Sequence, residues 1–195
     1  VSTGDGAGSI DWTYTVADGD VDYLGVGDSV VQTYTVTVTD PEGMTASQDV
    51  TITVTGTNDQ PVATADITDD AAEDGAAVSG QLSVASDDDS SDQHTYQVSA
   101  MADGEGSVTV DAATGVYSFD PGSDFQDLAE GETRDVTFTY TVTDDSDEGN
   151  AVSAAQPVTI TVTGTNDQPV ATAAITDDAT EDGAAITGDL SETDA

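Results

Sequence analysis

Hydrophobic and polar residues alternate along most of this chain. Val50, Ile52 and Val54 interleave with Thr51, Thr53 and Thr55, the period-two pattern of a half-buried β-strand. The same pattern places Ile10, Trp12, Tyr14 and Val16 on one face of a strand over 9–16, and Tyr34, Val36 and Val38 inward on another over 30–39. Asp40-Pro41-Glu42-Gly43 reads as a tight turn, after which 46–55 returns as an antiparallel strand. Residues 18–28, punctuated by Gly19, Gly25 and Gly27, read as a loop, and 1–8 as a frayed end. Beyond the hairpin, short strands are expected near 62–67, 77–85, 94–101, 107–110, 115–119, 133–143 and 152–163. Seven strands in about a hundred residues is the count of an immunoglobulin-like sandwich. No window shows a 3.6-residue period, so the predicted class is all-β with little helix.

The alternation is also duplicated. The sixteen residues VTITVTGTNDQPVATA at 50–65 recur unchanged at 158–173, 108 positions later. A period of that length marks whole domains in tandem rather than the short units of a solenoid. Leu24, Gly27, Tyr34, Val36 and Asp40 find counterparts in Leu128, Gly131, Phe138, Tyr140 and Asp144, and 171–190 follows 63–82 with few changes. The expected organisation is the C-terminal part of one repeat at 1–57, a complete repeat at 58–165 and the first two strands of a third at 166–195, all within a longer array. Asn58-Asp59-Gln60-Pro61 and Asn166-Asp167-Gln168-Pro169 are the short acidic linkers, because proline fixes φ and Asn and Asp favour turns.

Charge sharpens this picture. Forty acidic residues face Arg134 alone, and Asp outnumbers Glu 32 to 8. Short Asp side chains suit turns and the oxygen cages of hard cations. Residues 30–39, 50–58, 136–143 and 158–166 contain no acid, so the acid sits in the loops. A net charge of −39 argues against nucleic acid or an anionic membrane as a direct partner. With no cysteine and no lysine, neither a disulfide nor a Lys–Asn isopeptide bond can staple the fold, which leaves divalent cations.

VTITVTGTNDQP, WTYTVADGDVDYLG and EGETRDVTFTYTVTDD together resemble the VCBS repeats of giant bacterial RTX-type surface adhesins. The resemblance covers essentially the whole chain, and GTND followed by Pro is its most specific part. It implies cadherin-like or Ig-like β-sandwiches acting as extracellular spacers stiffened by Ca²⁺ at their joints. It names no ligand for the adhesin, and the partners it implies are neighbouring repeats of the same chain.

Strand directions give candidate ligands. The loop 18–28 lies beside the linker at 58–61, and the loops 87–92 and 144–148 of the next repeat face it from the other side. Asp18, Asp20 and Asp22 would then meet Asn58 and Asp59, with Asp87, Asp89, Asp144 and Asp145 opposite. Calcium takes six to eight oxygens, which such a convergence could supply. The lower joint would repeat the arrangement with Asp120, Asp124, Asp127, Asn166 and Asp167, approached by Glu73 and Asp74, where Glu73 resembles the linker-site glutamate of cadherins. Plain alternatives stand beside each of these. Asn58-Asp59-Gln60-Pro61 and Glu73-Asp74-Gly75 also read as turns, and Asp87-Asp88-Asp89 and Asp18-Gly19-Asp20-Val21-Asp22 as solvated charge.

Trp12, Tyr14, Tyr34, Phe138 and Tyr140 are expected in the core, and Arg134 beside Asp135 or Glu132. His94 is the sole histidine, so a multi-histidine zinc site is excluded, and a triad with Ser91 and Asp92 has only composition behind it. The expectation is a non-catalytic extracellular spacer. The alternatives are a module that binds sugar or protein, and identical chains joined head to tail by strand donation.

Overall fold

The computed structural model describes residues 9–171, 176–188 and 192–193. The reading of 1–8 as frayed lies outside these residues, as does much of the tail expected to form strands, at 172–175 and 189–191.

The described residues open with one turn of 3₁₀ helix, Asp18–Asp20, in an otherwise irregular segment from residue 9. A hairpin follows, β1 (Ser29–Thr39) paired antiparallel with β2 (Thr45–Thr55), Tyr34 opposite Val50. Its turn is tight as expected: Asp40 accepts the Gly43 amide at 3.0 Å and its carboxylate accepts the Met44 amide at 2.7 Å.

Next come β3 (Val62–Ala63), β4 (Ile67–Ala72), β5 (Val78–Gln81), β6 (Val84–Ser86), β7 (Thr95–Val98), β8 (Ser107–Val110), β9 (Val116–Asp120), β10 (Thr133–Thr143) and β11 (Gln156–Thr163). One sheet has the order β4-β11-β10-β7 and the other β5-β9-β8, with β3 paired to β6 beside them. Among the described residues all pairings are antiparallel except β4 with β11, where Ile67 lies opposite Val158 and Ala72 opposite Thr163. A last pair joins β12 (Val170–Ala171) to β13 (Glu192–Thr193).

Alternation builds the core. Phe138, Tyr140 and Val142 of β10 and Val158, Ile160 and Val162 of β11 point inward and are buried against Leu82, Tyr117, Phe119 and Phe125. Tyr117 stands edge-on to Phe138 with centroids 5.5 Å apart. The Tyr140 hydroxyl donates to the Thr64 and Ser83 carbonyls at 2.7 and 3.0 Å, tying β10 to the chain beside β3 and β6. This is the sandwich the alternation predicts, cadherin-like or Ig-like in form.

Several expectations need correction. The strand expected over 62–67 breaks after Ala63, because Asp66 adopts a left-handed φ of 57°, which Asp tolerates better than most residues. The chain restarts as β4, which sequence reasoning missed because ITDDAA carries two acids and Asp is depleted in strands. Its Asp69 is half-buried and accepts the Tyr117 hydroxyl at 3.1 Å. The 77–85 segment is likewise two strands, and β11 starts at Gln156 rather than 152.

No strand forms over 9–16, and Trp12 and Tyr34 are 58% and 46% exposed instead of buried. Phe138 and Tyr140 are buried because the β5-β9-β8 sheet covers them. Among the described residues nothing comparable covers β1 and β2. Arg134 pairs with Asp127 at 2.6 Å and not with Asp135 or Glu132.

Candidate metal centre

The repeated GTND segment leaves each closing strand under a loop. The Gly56 amide donates to the Asp28 carbonyl at 3.0 Å, and a Cβ there would sit 2.1 Å from the Leu24 carbonyl oxygen. Its counterpart Gly164 donates to Glu132 at 2.8 Å, and a Cβ there would lie 2.3 Å from the Ala129 oxygen. Only glycine fits so close a backbone approach, and it fixes where the next residues emerge.

Asn58 emerges buried. Its Nδ2 donates to Asp144 Oδ2 at 3.0 Å and to the Asp59 carbonyl at 2.8 Å, while its own carbonyl accepts Asn150 Nδ2 at 2.7 Å. Asp59 donates its amide to Asp89 Oδ2 at 2.6 Å. The linker is therefore clasped by the loops after β6 and β10. Ser90 and Ser91 of the first loop reach Tyr23 O at 3.2 Å and Asp28 Oδ2 at 3.1 Å, so the 18–28 loop closes on the same place.

The carboxylates crowd there. Asp87, Asp92 and Asp144 each offer an oxygen within 4.8 Å of the others. Asp89 is 3% exposed, and Asp87 pairs with His94 Nε2 at 2.6 Å. Asp59, Asp18 and Asp22 line an adjoining hollow of about 390 Å³ with Leu24 and Gly56. Asp145 accepts the Gln93 amide at 3.0 Å and lines a hollow with Asp92. Burial, then the charges of Asp89, Asp22, Asp88 and Asp18, hold Asp59 above its ordinary pKa of 3.8. Asp92 is raised by burial and then by Asp89, Asp145, Asp144 and Asp87, and Asp22 by desolvation and then Asp18, Asp88 and Asp20.

Three oxygens here are buried without any hydrogen-bond donor: Asn58 Oδ1, Asp89 Oδ1 and Asp92 Oδ2. Buried polar atoms in native proteins almost always have a partner, so three orphans in one crowded anionic spot call for a cation. The donors are all oxygen and mostly carboxylate, the set a hard divalent ion such as Ca²⁺ takes.

Of the residues singled out from sequence, the fold brings Asp18, Asp22, Asn58, Asp59, Asp87, Asp89 and Asp144 to this place, with Asp20 in the same 3₁₀ turn as Asp18. Asp92 was missed as a ligand, although it closes the same loop as Asp87 and Asp89.

The lower set is looser. Glu73, 1% exposed, accepts the Thr165 amide at 2.6 Å, and its Oε2 is another buried orphan. Asp74 accepts Thr165 Oγ1 at 3.3 Å and Gln126 Nε2 at 3.1 Å. Asp120 and Asp124 accept the Gly122 and Gly106 amides at 3.0 Å, and Asp127 holds Arg134. Asn166 donates to the Asp167 carbonyl at 3.1 Å. These contacts gather Glu73 and Asp74 at Thr165, while Asp120, Asp124 and Asp127 are each engaged elsewhere.

Residues 58–164 match the family model described as a bacterial cadherin-like domain. Among solved structures, the first two extracellular domains of human mucin-like protocadherin align with a TM-score of 0.50 at 15% identity, over 69% of this chain and 69% of that one. Drosophila N-cadherin domains 1–4 align with a TM-score of 0.45 at 17% identity, covering 77% of this chain and 37% of that one. No curated protein matches the sequence.

Proposed function

Because the chain belongs to the bacterial cadherin-like domain family, a family of extracellular and typically non-catalytic modules consistent with an adhesive or structural role, we propose that it is a spacer of a bacterial surface adhesin whose joints are stiffened by Ca²⁺. Its partners in that role are the neighbouring repeats, as in the VCBS-type arrays it resembles. The observation that carries the reading is the set of donorless buried oxygens on Asn58, Asp89 and Asp92, next to Asp87 and Asp144.

The physics follows from the charge. Without cations, the carboxylates of the 18–22, 87–92 and 144–145 loops repel across the linker and push the joint open. A divalent ion there would replace repulsion with shared ligands drawn from the linker and from the loops on both sides. Asn58 and Asp59 would hold it from the linker, Asp87, Asp89, Asp92 and Asp144 from the sandwich, and Asp18 and Asp22 from the preceding loop. Extracellular calcium modules bind with dissociation constants of roughly 10⁻⁴ to 10⁻³ M, so each site filled at tenfold excess adds about 1.4 kcal/mol. The product is rigidity, not chemistry.

Calcium titration followed by small-angle scattering and thermal unfolding tests the proposal. The expected result is a smaller, less variable maximum dimension and a higher unfolding midpoint in millimolar Ca²⁺ than in chelator. Identical scattering curves and midpoints in both would refute it.

A further inference from the structure

We propose that Gln126 and Arg134 make the lower joint, at Asn166-Asp167, a weak binder of divalent cations, while Asp18 and Asp22 make the upper joint, at Asn58-Asp59, a strong one. This rests on the calcium reading and deepens it: the ion is the same, and the two joints take unequal shares of it.

The loops that close on the two linkers are built alike. Leu24 donates its amide to the Val21 carbonyl at 3.0 Å and Asp28 to Gly25 at 3.0 Å, as Leu128 does to Phe125 at 2.9 Å and Glu132 to Ala129 at 2.8 Å. Gly56 and Gly164 then donate to the Asp28 and Glu132 carbonyls. Ser29 lies opposite Thr55 as Thr133 lies opposite Thr163. Residues 18–30 and 122–134 therefore correspond position by position, and both stretches lie wholly inside the chain.

Their side chains differ where the ion would sit. Gly122 stands in place of Asp18, Gln126 of Asp22, Asp127 of Tyr23 and Arg134 of Val30, while Asp20 keeps its counterpart in Asp124. In the upper loop, Asp18 and Asp22 line the hollow they share with Asp59. Desolvation, then the charges of Asp18, Asp88 and Asp20, raise Asp22 above its ordinary pKa of 3.8. Carboxylates that crowd in this way are relieved by a divalent ion, and the number of charged ligands tunes how tightly it is held.

In the lower loop the polar groups already have answers. Gln126 Nε2 donates to Asp74 Oδ1 at 3.1 Å, and Arg134 Nη2 to Asp127 Oδ2 at 2.6 Å. Asp124 accepts the Gly106 amide at 3.0 Å and Glu132 the Ala129 amide at 3.2 Å. The Arg134 hydrogen bond holds Asp127 below 3.8, the opposite of Asp22. The guanidinium also lies 5.8 Å from the centroid of the Phe125 ring, a contact that Val21 at the matching place has no ring to offer. Glu130 is an added acid, but its counterpart Val26 lines hollows with Glu148 and Asn150, away from the one that holds Asp18, Asp22 and Asp59. An ion arriving here meets two fewer carboxylates and has to draw Asp74 from Gln126 and Asp127 from Arg134. Glu73 keeps its donorless Oε2, so the lower joint still takes an ion, at a higher concentration. As calcium rises, the upper joint stiffens first.

The test moves the lower loop's residues to the upper joint of the whole chain, where the loops on both sides of the linker are present. Calorimetric calcium titration should show a tight and a weak class of binding in the parent. Asp18→Gly with Asp22→Gln should weaken the tight class about tenfold or more. The unfolding transition of the 62–163 sandwich in chelator shows that this variant is folded, since neither residue lies within it. The converse variant, Gln126→Asp with Arg134→Val, should unfold earlier than the parent in chelator and gain more from calcium.

Unchanged tight binding in Asp18→Gly with Asp22→Gln overturns the proposal and leaves the calcium reading standing. So does a converse variant whose calcium-induced rise in midpoint is no larger than the parent's. A parent that takes up no calcium overturns both.

Discussion

Asp89 Oδ2 accepts the backbone amide of Asp59 at 2.6 Å, while Asp89 Oδ1, also of this buried side chain, meets no donor. One carboxylate thus both fixes the linker and keeps one buried oxygen unsatisfied. Replacing Asp89 by Asn separates these roles. The amide oxygen of Asn can still accept from Asp59, but the variant loses a charged ligand. The expected outcome is a midpoint in chelator equal to or above that of the parent, with the calcium-induced rise reduced by about 1 kcal/mol or more. Asp92→Asn should behave alike, and Asp111→Asn, remote from the linker contacts, should leave the calcium response unchanged. Paired scans with and without Ca²⁺ read all three.

The pH response in chelator follows from the same crowding. Asp22, Asp59 and Asp92 titrate above 3.8 in the folded chain. A carboxyl whose folded pKa is raised makes the folded state bind more protons than the unfolded one in the window between the two values. Stability then falls as pH rises through the folded pKa values. Asp111 and Asp127 act oppositely, since amides of Thr114 and Ala113 lower the first and Arg134 the second, but their window lies below 3.8. In chelator the unfolding midpoint should therefore decline as pH rises from about 4 to neutrality, and Ca²⁺ should flatten or reverse that decline. A midpoint that climbs with pH in chelator would contradict the assignment.

Gly56 and Gly164 give a prediction that owes nothing to metal. An added methyl at Gly164 would overlap the Ala129 and Leu128 carbonyl oxygens at 2.3 and 2.8 Å, neither of which is the movable end of a side chain. Gly164→Ala should destabilise the sandwich by about 2 to 4 kcal/mol, whereas Gly149→Ala, where a Cβ meets nothing within 4 Å, should fall within about 0.5 kcal/mol of the parent. Chemical denaturation of the two variants compares them directly.

Much of this was legible in residue order. The β10 and β11 cores follow from alternation alone, and the meeting of the 18–22, 87–89 and 144 loops at Asn58-Asp59 follows from strand direction. What escaped was set by tertiary context. β4 hides because its partner is the edge of β11, over ninety residues away, which lets an inward Asp69 find the Tyr117 hydroxyl. Trp12 and Tyr34 have the spacing of core residues, yet spacing cannot say whether a second layer covers them. Asp92 was overlooked because its role depends on how the 87–92 loop folds back on itself, which no period records.

Glu73 carries the last prediction, because its burial is stronger than any turn requires. The side chain is 1% exposed, its Oε1 holds the Thr165 amide at 2.6 Å, and Oε2 has no donor. Two readings of that orphan oxygen give opposite signs for Glu73→Gln. If Thr165 is its whole purpose, Gln keeps an acceptor for the amide and removes a buried charge, so the variant should be as stable as the parent or more so with or without calcium. If Oε2 awaits a cation at this end of the sandwich, Gln should be neutral in chelator but forfeit about 1 to 3 kcal/mol of the stabilisation that Ca²⁺ confers. The second outcome is expected, since the linker end beside Asn58 shows the same combination of buried, donorless oxygens. Calorimetric scans of the variant and parent, each in Ca²⁺ and in chelator, distinguish the two.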